Sequence, residues 1–378
     1  MTADSIVLGG TAPLTGPASF DAAVARGAEA YFRYVNAQGG VNGRSIVYTV
    51  RDDGYNPALT VPATRQLVEQ DKVFAVFNSV GTAENLAVRP YLNSAGVPQL
   101  FLASGASAFG RDHAQYPYTT GFQPSYEAEG WVYGTYLARA APGATVAVLF
   151  QNDDYGKELL DGLERGLQRS SARVLVAEPY DPGVRDISAQ VAKLASSRAD
   201  TLALFAAPAF ALKAYGLAAK LGWKPRRVIT NAVASSAPTM RRAAAGARRA
   251  LVNGTLSATY LKDPTDPQWR NDPGMTLYRR LVAKYLPAAK ADDGLYVYGM
   301  AVAWAAVEAL REAGRDLTRA SLQKVLDTFT VSGNPFLVPG IVVTTSGPDH
   351  VPIDQLVLER FRNGAWRSFG GLWSYTAP

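Results

Sequence analysis

The sequence predicts an α/β fold in which parallel strands are each followed by a helix. Strand-like and helix-like segments alternate through roughly the first 230 residues, as expected for successive βαβ units. Polar residues directly follow several of the predicted strands. In an open α/β sheet such strand ends line the crevice where ligands bind. Since none of these strand ends carries a recognisable set of reacting groups, they predict a binding site.

The first series of strands begins close to the amino terminus. A β-prone segment at 5–10 is broken by the turn Thr11–Pro17, and a helix follows from Asp21. Further strands are predicted at 45–50, 73–77 and 99–103, with helices at 62–70 and 83–95. These strands run into Asp52-Asp53, Asn78-Ser79 and Ser104-Gly105, respectively.

A second series follows Pro142-Gly143 and looks like another copy of the same architecture without being a sequence repeat. Its predicted strands are 145–150, 173–177, 201–205 and 227–230, and its predicted helices are 156–170, 187–196 and 209–221. After an irregular stretch come helices at 275–285, 296–313 and 317–328, then strands at 340–344, 354–362 and 365–369. Asn363-Gly364 between the last two predicts a hairpin. A block of helices followed by strands does not extend the second series, so we expect the chain to cross several times between two lobes.

Length and composition are those of a folded soluble protein. The chain has 378 residues, of which 48% are hydrophobic and 19% charged, which fits about two domains. No apolar run approaches the roughly 20 residues needed to span a bilayer. Residues 1–4 show neither a basic patch nor the apolar core of a signal peptide. The chain is therefore either cytosolic or an exported protein whose leader has been replaced by a start methionine.

Charge and cysteine content exclude several classes of function. The absence of cysteine excludes disulfides, thiolate metal sites and cysteine nucleophiles. The net charge of +6 is modest, and its densest patches are the pairs Arg226-Arg227, Arg241-Arg242 and Arg248-Arg249. These pairs lack the aromatic interleaving and helix-turn-helix spacing of a nucleic-acid site. We expect a solvated basic face and no nucleic-acid partner.

Enzyme motifs are incomplete. The segment around Ser79 has Phe77 where a nucleophile elbow needs its first glycine. His113 and His350 lie in loop-like contexts without a second histidine at metal-ligand spacing. No G-x-G-x-x-G motif or P-loop is present. Asp52-Asp53 could in principle bind a metal, although such pairs more often cap a turn. We therefore expect no catalysis, cofactor or metal, while a Ser-His-Asp triad stays formally open.

Several motifs together resemble those of a known family, the solute-binding proteins of ABC transporters, of the leucine/isoleucine/valine-binding type. They are Ala12–Pro17, Asn36–Gly43, Asp52-Asp53, Gly96–Gln99, Asp154–Gly156 and Tyr296–Gly299. The resemblance covers nearly the whole chain, and the order and spacing of the motifs make it specific.

The resemblance implies the type I periplasmic-binding fold, in which two Rossmann-like lobes are joined by a three-segment hinge and enclose a ligand cleft. Placed on this sequence, the crossings fall near 121–123, 254–256 and 331–333. The N-terminal lobe would then comprise 1–121 and 256–331, and the C-terminal lobe 122–255 and 332–378. The late helices would belong to the first lobe and the final strands to the second.

The resemblance also implies ligand-binding residues in the first lobe. Ser79 stands at a strand end before a helix, where a hydroxyl and the helix N-terminus suit a carboxylate, and it matches a serine that binds the ligand carboxylate in the family. The alternative is that Ser79 merely caps the helix. Ala103, Ser104 and Gly105 match a strand end whose main chain binds the ligand, with an ordinary turn as the alternative. Phe20 matches an aromatic residue that packs over the ligand.

The second lobe is expected to close over the remainder of the ligand. Tyr155 matches an aromatic wall of the site, although it and Phe20 could equally be core residues. Pro208 and Ala209 lie at a strand end with small side chains. Ala232 and Val233 lie in the stretch 230–236, which in amino-acid-binding relatives contains an acidic residue for the α-ammonium group. Here that stretch has no Asp or Glu, which favours an acid without an ammonium group.

The sequence therefore predicts a non-enzymatic receptor in the periplasm or on the outer face of the membrane. It would bind a small carboxylate-bearing solute (a 2-oxo acid, an aromatic acid or a branched-chain amino-acid-like compound) by hinge closure and deliver it to an ABC permease. As in the family, we expect a monomer. The alternatives are a two-domain α/β enzyme, either hydrolase or oxidoreductase, and the ligand-sensing domain of a regulator.

Overall fold

The computed structural model of the protein describes residues 2, 4–16, 18–247, 249–345 and 350–376. Pro17 of the opening motif and Arg248 of the third arginine pair lie outside the described residues. The chain divides into two compact units. Unit 1 comprises Met1–Gln123 and Arg270–Ile353, and unit 2 comprises Pro124–Trp269 and Asp354–Pro378.

Strands and helices alternate as predicted. In chain order the strands are β1 Ser5–Ala12, β2 Ser45–Asp52, β3 Ala75–Phe77, β4 Gln99–Leu102, β5 Thr119–Gly121, β6 Thr145–Gln151, β7 Arg173–Tyr180, β8 Thr201–Phe205, β9 Arg227–Thr230, β10 Leu256–Thr259, β11 Thr330–Val331, β12 Val343–Thr344, β13 Gln355–Arg362 and β14 Ala365–Ser374. The helices are α1 Ala22–Asn36, α2 Pro57–Glu69, α3 Thr82–Ser94, α4 Ala108–Arg111, α5 Tyr126–Ala140, α6 Asp154–Leu167, α7 Ser188–Ser196, α8 Pro208–Lys220, α9 Ala237–Gly246, α10 Arg249–Val252, α11 Pro273–Tyr285, α12 Gly294–Glu312 and α13 Arg319–Leu326.

Unit 1 is built on a parallel sheet with the strand order β2-β1-β3-β4-β5. The central strands β3 and β4 are fully buried, as expected when helices cover both faces of a parallel sheet. On one face, Phe32 of α1 packs its ring against Tyr48 and Phe77. On the other, Leu67, Val88 and neighbouring residues of α2 and α3 form an apolar cluster.

The late helices α11, α12 and α13 complete unit 1. Helix α12 is almost entirely buried and lies against α1 at glycine contacts. A Cβ built on Gly299 would be only 2.2 Å from the Val24 carbonyl oxygen, so the two backbones approach too closely for any side chain at this position. The helices in this block therefore belong to the core of unit 1, and the short antiparallel pair of β11 and β12 follows them.

Unit 2 contains a mixed sheet with the strand order β14-β13-β10-β9-β8-β6-β7. Strands β6 to β10 pair in parallel, while β13 and β14 pair antiparallel and extend the sheet beyond β10. The predicted hairpin turn between them is confirmed. Asn363 and Gly364 both have positive φ, 52° and 83°, as a two-residue hairpin requires.

The helices α4, α5, α9 and α10 and the strands β5, β10 and β11 were not predicted from the sequence, and several predicted boundaries were wrong. Helix α2 begins at Pro57, five residues before the predicted start, because the Asn56 side chain accepts a hydrogen bond from Ala58 N and caps it. The strand predicted at 340–344 is confined to Val343–Thr344. The predicted α/β architecture is confirmed, because the main sheet of each unit is built around parallel strands joined by helices.

The division into units places the late crossings after the positions expected from the resemblance. Residues 256–269 belong to unit 2, because β10 pairs with β9 and β13 of that sheet. Residues 332–353 belong to unit 1, where β12 pairs with β11. Phe336 in this segment also packs edge-on against Tyr31 of α1, which adds apolar contact to unit 1.

Within the described part of the chain, no helix combines the length and the apolar character that a bilayer-spanning segment needs.

Candidate functional site

Ser79 links three neighbouring strand ends of unit 1. Its hydroxyl oxygen accepts a hydrogen bond from the Thr11 amide at 3.0 Å, and its carbonyl oxygen accepts one from the Ala103 amide at 2.8 Å. The side chain of Asn85 donates a further bond to the same carbonyl, at 2.8 Å. The alternative that Ser79 caps the following helix was wrong. The N-cap of α3 is Gly81, which provides no side-chain bond, and the Ser79 hydroxyl points to β1.

The strand end at 103–105 is tied to the first turn of α3. The hydroxyls of Ser104 and Thr82 lie 2.7 Å apart and share a hydrogen bond, and Ser104 Oγ also accepts one from Ala106 N at 3.2 Å. Ala103 O accepts from Gly81 N at 3.2 Å. Ser79, Ala103, Ser104 and Gly105 thus lie at one edge of the sheet, as predicted from their positions after β3 and β4.

The first turn of α3 requires a glycine before it. Gly81 has a φ of +108°, and a Cβ at this position would be 2.1 Å from the Glu84 carboxylate and 3.0 Å from the Tyr55 ring. The left-handed backbone and the close contacts let the chain turn sharply from Ser79 into the helix. The amide groups of the helix N-terminus therefore lie beside the hydroxyls of Thr82 and Ser104, and the buried carboxylate of Glu84 lies in the same first turn.

A small pocket of unit 1 adjoins this strand end. It is lined by Ser104, Gly105, Ala106, Phe109, Gly110, Gly121, Gln123, His350, Val351 and Pro352. Ser79 and Phe20 are not among these lining residues. Phe20 lies in the 3₁₀ turn Ser19–Asp21 and is half-buried. The structure therefore brings together the four strand-end residues Ser79, Ala103, Ser104 and Gly105.

In unit 2, Tyr155 is part of a buried polar network at the ends of β8 and β9. Its hydroxyl oxygen accepts a hydrogen bond from Asn231 Nδ2 at 2.5 Å, and its ring lies 4.8 Å from that of Tyr126. Asn231 Oδ1 accepts in turn from Ala206 N at 3.3 Å. Tyr155 itself is only 3% exposed. Asn231 and Tyr126 were missed by the sequence reasoning, because neither carries a distinctive motif.

The other predicted residues of unit 2 lie at the same edge of its sheet. Pro208 is the first residue of α8 and is buried, whereas Ala209 is partly exposed. Ala232 and Val233 form a 3₁₀ turn after β9 and are partly exposed.

A carboxyl group stands at the end of β9 although the stretch 230–236 has none. Glu129 reaches it from α5: Oε1 accepts from Ala232 N and from the Tyr133 hydroxyl, each at 2.7 Å. Burial raises the pKa of Glu129 from 4.5 to about 7, although both hydrogen bonds oppose the shift. Glu129 could not be predicted as a neighbour of this strand end, because it lies 103 positions from Ala232 in the sequence.

The residues considered above for catalysis or metal binding form hydrogen bonds or ring contacts within unit 1. Asp52 Oδ1 accepts from the amides of Leu14 and Gly54, and a hydrogen bond from Thr15 is the main cause of its lowered pKa. Asp53 is buried and accepts from Thr60. Among the described residues, no cluster of three or more histidine or acidic side chains could hold a metal. The two histidines stack on each other, and the described side-chain bond of Ser79 is to Thr11.

Comparison with known proteins gives a consistent set of matches. A family model described as periplasmic binding protein matches residues 5–365. A Leu/Ile/Val-binding protein homologue of Brucella melitensis is 31% identical over 199 residues, which cover 52% of this chain and 53% of the relative. The chain spans about half the length of the curated relatives it matches.

Solved structures share the fold over nearly the whole chain. A branched-chain amino acid ABC transporter protein from Thermus thermophilus, with bound valine, is 19% identical, with a TM-score of 0.85 and coverage of 99% of this chain and 98% of that one. A solute-binding protein from R. palustris in complex with benzoate is 18% identical, with a TM-score of 0.81 and coverage of 97% and 96%.

Proposed function

Because the chain belongs to the periplasmic binding protein family, we propose that it is an extracytoplasmic receptor for a small carboxylate-bearing solute. The observation that carries this proposal is the set of hydroxyl and amide groups at the strand ends of unit 1, where Ser79 and Ser104 flank the N-terminus of α3. Hydroxyls beside a helix N-terminus are a favourable environment for an anion.

Ser79 is well prepared to donate to a carboxylate. Its oxygen already accepts from Thr11 N, so the hydroxyl group is oriented while its single hydrogen can be directed to a ligand. The main chain at 103–105 would provide further donors. In this proposal Phe20 packs against the remainder of the solute.

Unit 2 would complete the binding site. We propose that Tyr155 forms an aromatic wall, and that the small residues Pro208, Ala209, Ala232 and Val233 accept the distal part of the solute. Closure of the hinge would trap the ligand, and only contacts made in the closed state would favour closure. The receptor would act in the periplasm as a monomer and deliver its solute to an ABC permease.

The preferred solute lacks an ammonium group. The carboxyl group that the described part of unit 2 brings to the end of β9 belongs to Glu129, which is 5% exposed and already bonded to Ala232 N and Tyr133. With a pKa of about 7, much of it is protonated at neutral pH, and it is a poor counterion. An unpaired ammonium group in a closed site would cost several kcal/mol. Proteins of the same fold have been crystallised with valine and with benzoate, so both classes need testing.

A thermal-shift screen against aromatic carboxylates, 2-oxo acids and branched-chain amino acids tests the proposal. A solute at about 100 times its Kd stabilises the folded protein by roughly 2.7 kcal/mol, which raises Tm by several degrees. We expect stabilisation by acids such as benzoate or 4-methyl-2-oxopentanoate, without turnover. Stabilisation by leucine, isoleucine and valine alone would retain the receptor and refute the ammonium-free class. The absence of any shift, together with turnover of an ester or nicotinamide substrate, would refute the receptor function.

Replacing Ser79 by alanine should weaken binding of the carboxylate by about 10- to 100-fold. A hydrogen bond to a charged group contributes about 1.5–3 kcal/mol, which corresponds to that range. Isothermal titration calorimetry with the acid identified by the screen measures the effect. The same substitution leaves Thr11 N without its acceptor, so circular dichroism should accompany it to show that the fold is retained.

Ser94→Ala provides the matched control, because Ser94 is an exposed serine at the other end of α3 whose hydroxyl donates to Tyr91 O. We expect its affinity to equal that of the unaltered protein. If Ser79→Ala also binds with unaltered affinity, Ser79 does not contact the solute.

A further inference from the structure

Three polar residues lie side by side on neighbouring strands of the unit 2 sheet. Ser257 of β10 is paired with Glu359 of β13. Leu256 of β10 is paired with Ile229 of β9, and these two strands are parallel. The residues that follow this pair are Ser257 and Thr230, so these two are also neighbours. We call Thr230, Ser257 and Glu359 the polar row, and each is at most 2% exposed.

The side chains of the polar row point to the face of the sheet that α8 and α9 cover. Residues two positions apart in a strand share a face of the sheet. Val228 and Phe361, each two positions from a member of the row, pack into an apolar core with residues of both helices. Ser257 shares this face, because residues directly opposite each other on paired strands project to the same side. The three side chains are therefore directed into the same part of the interior.

Each member of the polar row has a buried oxygen without a hydrogen-bond partner among the described residues. These atoms are Thr230 Oγ1, Ser257 Oγ and Glu359 Oε2. Burial raises the pKa of Tyr133, and the nearby Ser257 hydroxyl opposes that shift. Ser235 interacts with the Glu359 carboxyl group. Since a buried oxygen left without a partner destabilises the fold, the row points to a group that binds these atoms.

The surroundings of the Glu359 carboxyl group are negative. Burial raises its pKa, and the neighbouring carboxyl groups of Asp263 and Asp266 raise it further. Asp263, Asp266 and Glu129 each accept a hydrogen bond from a main-chain amide. Burial raises the pKa of Asp263 to about 6, a shift that Arg241 partly opposes. A cation beside Glu359 would therefore enter a region of negative potential.

We propose that the polar row binds a small monovalent cation, held by Thr230 Oγ1, Ser257 Oγ and Glu359 Oε2 in the interior of unit 2. Carboxylate and hydroxyl oxygens are the ligands that hard cations prefer. One available carboxylate balances a single positive charge, whereas a calcium site needs about six to eight oxygen ligands. In the part of the chain that the structure describes, no group of three or more acidic or histidine side chains could hold a metal, which also favours a monovalent ion. This inference does not depend on the proposed function, because the row lies within unit 2 and needs no solute.

Thermal unfolding in sodium chloride and in choline chloride, at equal concentrations, tests the proposal without any solute. Choline is too large for a buried site among side chains, so it controls for ionic strength. A cation at about ten times its Kd should raise Tm by roughly 2–4 °C in a unit of this size. We expect a rise of at least about 2 °C in sodium chloride relative to choline chloride. Equal melting temperatures in the two salts would overturn the inference.

Two variants assign the effect to the polar row. Thr230→Val retains a similar shape and removes an oxygen without a described partner, so in choline chloride this variant should be at least as stable as the unaltered protein. Glu359→Gln removes the charge. Each should lose at least about half of the rise in Tm that sodium causes. Glu164→Gln, which replaces an exposed glutamate of α6, is the matched control and should retain the whole rise.

Sodium-23 NMR provides a direct measurement of binding. The unaltered protein should broaden the sodium signal, and Thr230→Val should broaden it less at the same protein concentration. If both row variants retain the full rise in Tm and the full broadening, sodium binds elsewhere and the inference is refuted. Circular dichroism shows whether each variant is folded. If Glu359→Gln does not fold, Thr230→Val and Ser257→Ala decide the question, since both retain the carboxylate and each removes one hydroxyl ligand.

Discussion

Replacing Gly134 by valine should lower the free energy of unfolding of unit 2 by at least about 3 kcal/mol. Helices α5 and α6 meet at glycines, and a Cβ built on Gly134 would lie 2.2 Å from Leu163 O and 2.9 Å from the Cα of Gly166. The obstacles are backbone atoms of the facing helix, so no rotamer change relieves the contact. The helices must move apart, and the cost should exceed the 1–3 kcal/mol typical of overpacked cores.

Urea unfolding followed by circular dichroism measures this loss. Gly216→Ala is the matched control, because Gly216 lies within α8 and an added Cβ meets no atom within 4 Å. Alanine there should stabilise the protein by about 0.5–1 kcal/mol through its higher helix propensity. A Gly134→Val protein as stable as the original would show that α5 and α6 are not packed as described.

Replacing Glu129 by glutamine should remove part of the loss of stability that occurs as the pH rises. The pKa of Glu129 is raised by burial from 4.5 to about 7, so the folded state retains a proton that the unfolded state releases. Its contribution to stability is complete below pH 4.5 and declines as the pH rises to about 7. Above that value the ionised carboxylate costs on the order of 3 kcal/mol. Glutamine is neutral throughout, and its carbonyl can accept the bonds from Ala232 N and Tyr133.

Free energies of unfolding at pH 5 and pH 8 test this prediction. The glutamine variant should be similar to the unaltered protein at pH 5 and more stable at pH 8. Asp161→Asn, which neutralises an exposed carboxyl group of the same unit, controls for the change in net charge. A variant that loses stability between these pH values as steeply as the original would refute the assignment of the proton to Glu129. Glu359 is also buried, beside Asp263 and Asp266, and its pKa is raised as well, so some pH dependence should remain in every variant.

The parts of the fold that local sequence determines were predictable. Strands β3, β8 and β9 are short apolar runs followed by turns. The dipeptide Asn363-Gly364 is a strong sequence signal for a hairpin turn. Helix α5 was missed because glycines interrupt it, and these glycines are explained only by the close approach of α6. Because the glycines of α5 are required by its packing against α6, the sequence of α5 alone only weakly indicates a helix.

The positions of Ser79 and Ser104 could be predicted, because each lies two residues after the end of its strand. Contacts between residues that are far apart in the sequence could not be predicted. Glu129 at the end of β9 and His350 against His113 are brought together by the tertiary fold, and neither pair has a characteristic spacing. The position of the unit boundaries also depends on strand pairing. Because β10 pairs with β13, residues 256–269 belong to unit 2.

The position of β13 in the sheet of unit 2 has a consequence for how the chain acquires its structure. β10 pairs with β9 along one edge and with β13 along the other, and β13 follows almost one hundred residues later, after all the late helices of unit 1. During synthesis, β10 therefore emerges with an open backbone edge that only the last segment of the polypeptide can cover. Such an edge can pair with other chains. A nascent or C-terminally truncated chain would be prone to aggregate through β10, and a chaperone that keeps this strand covered would increase the yield of native protein.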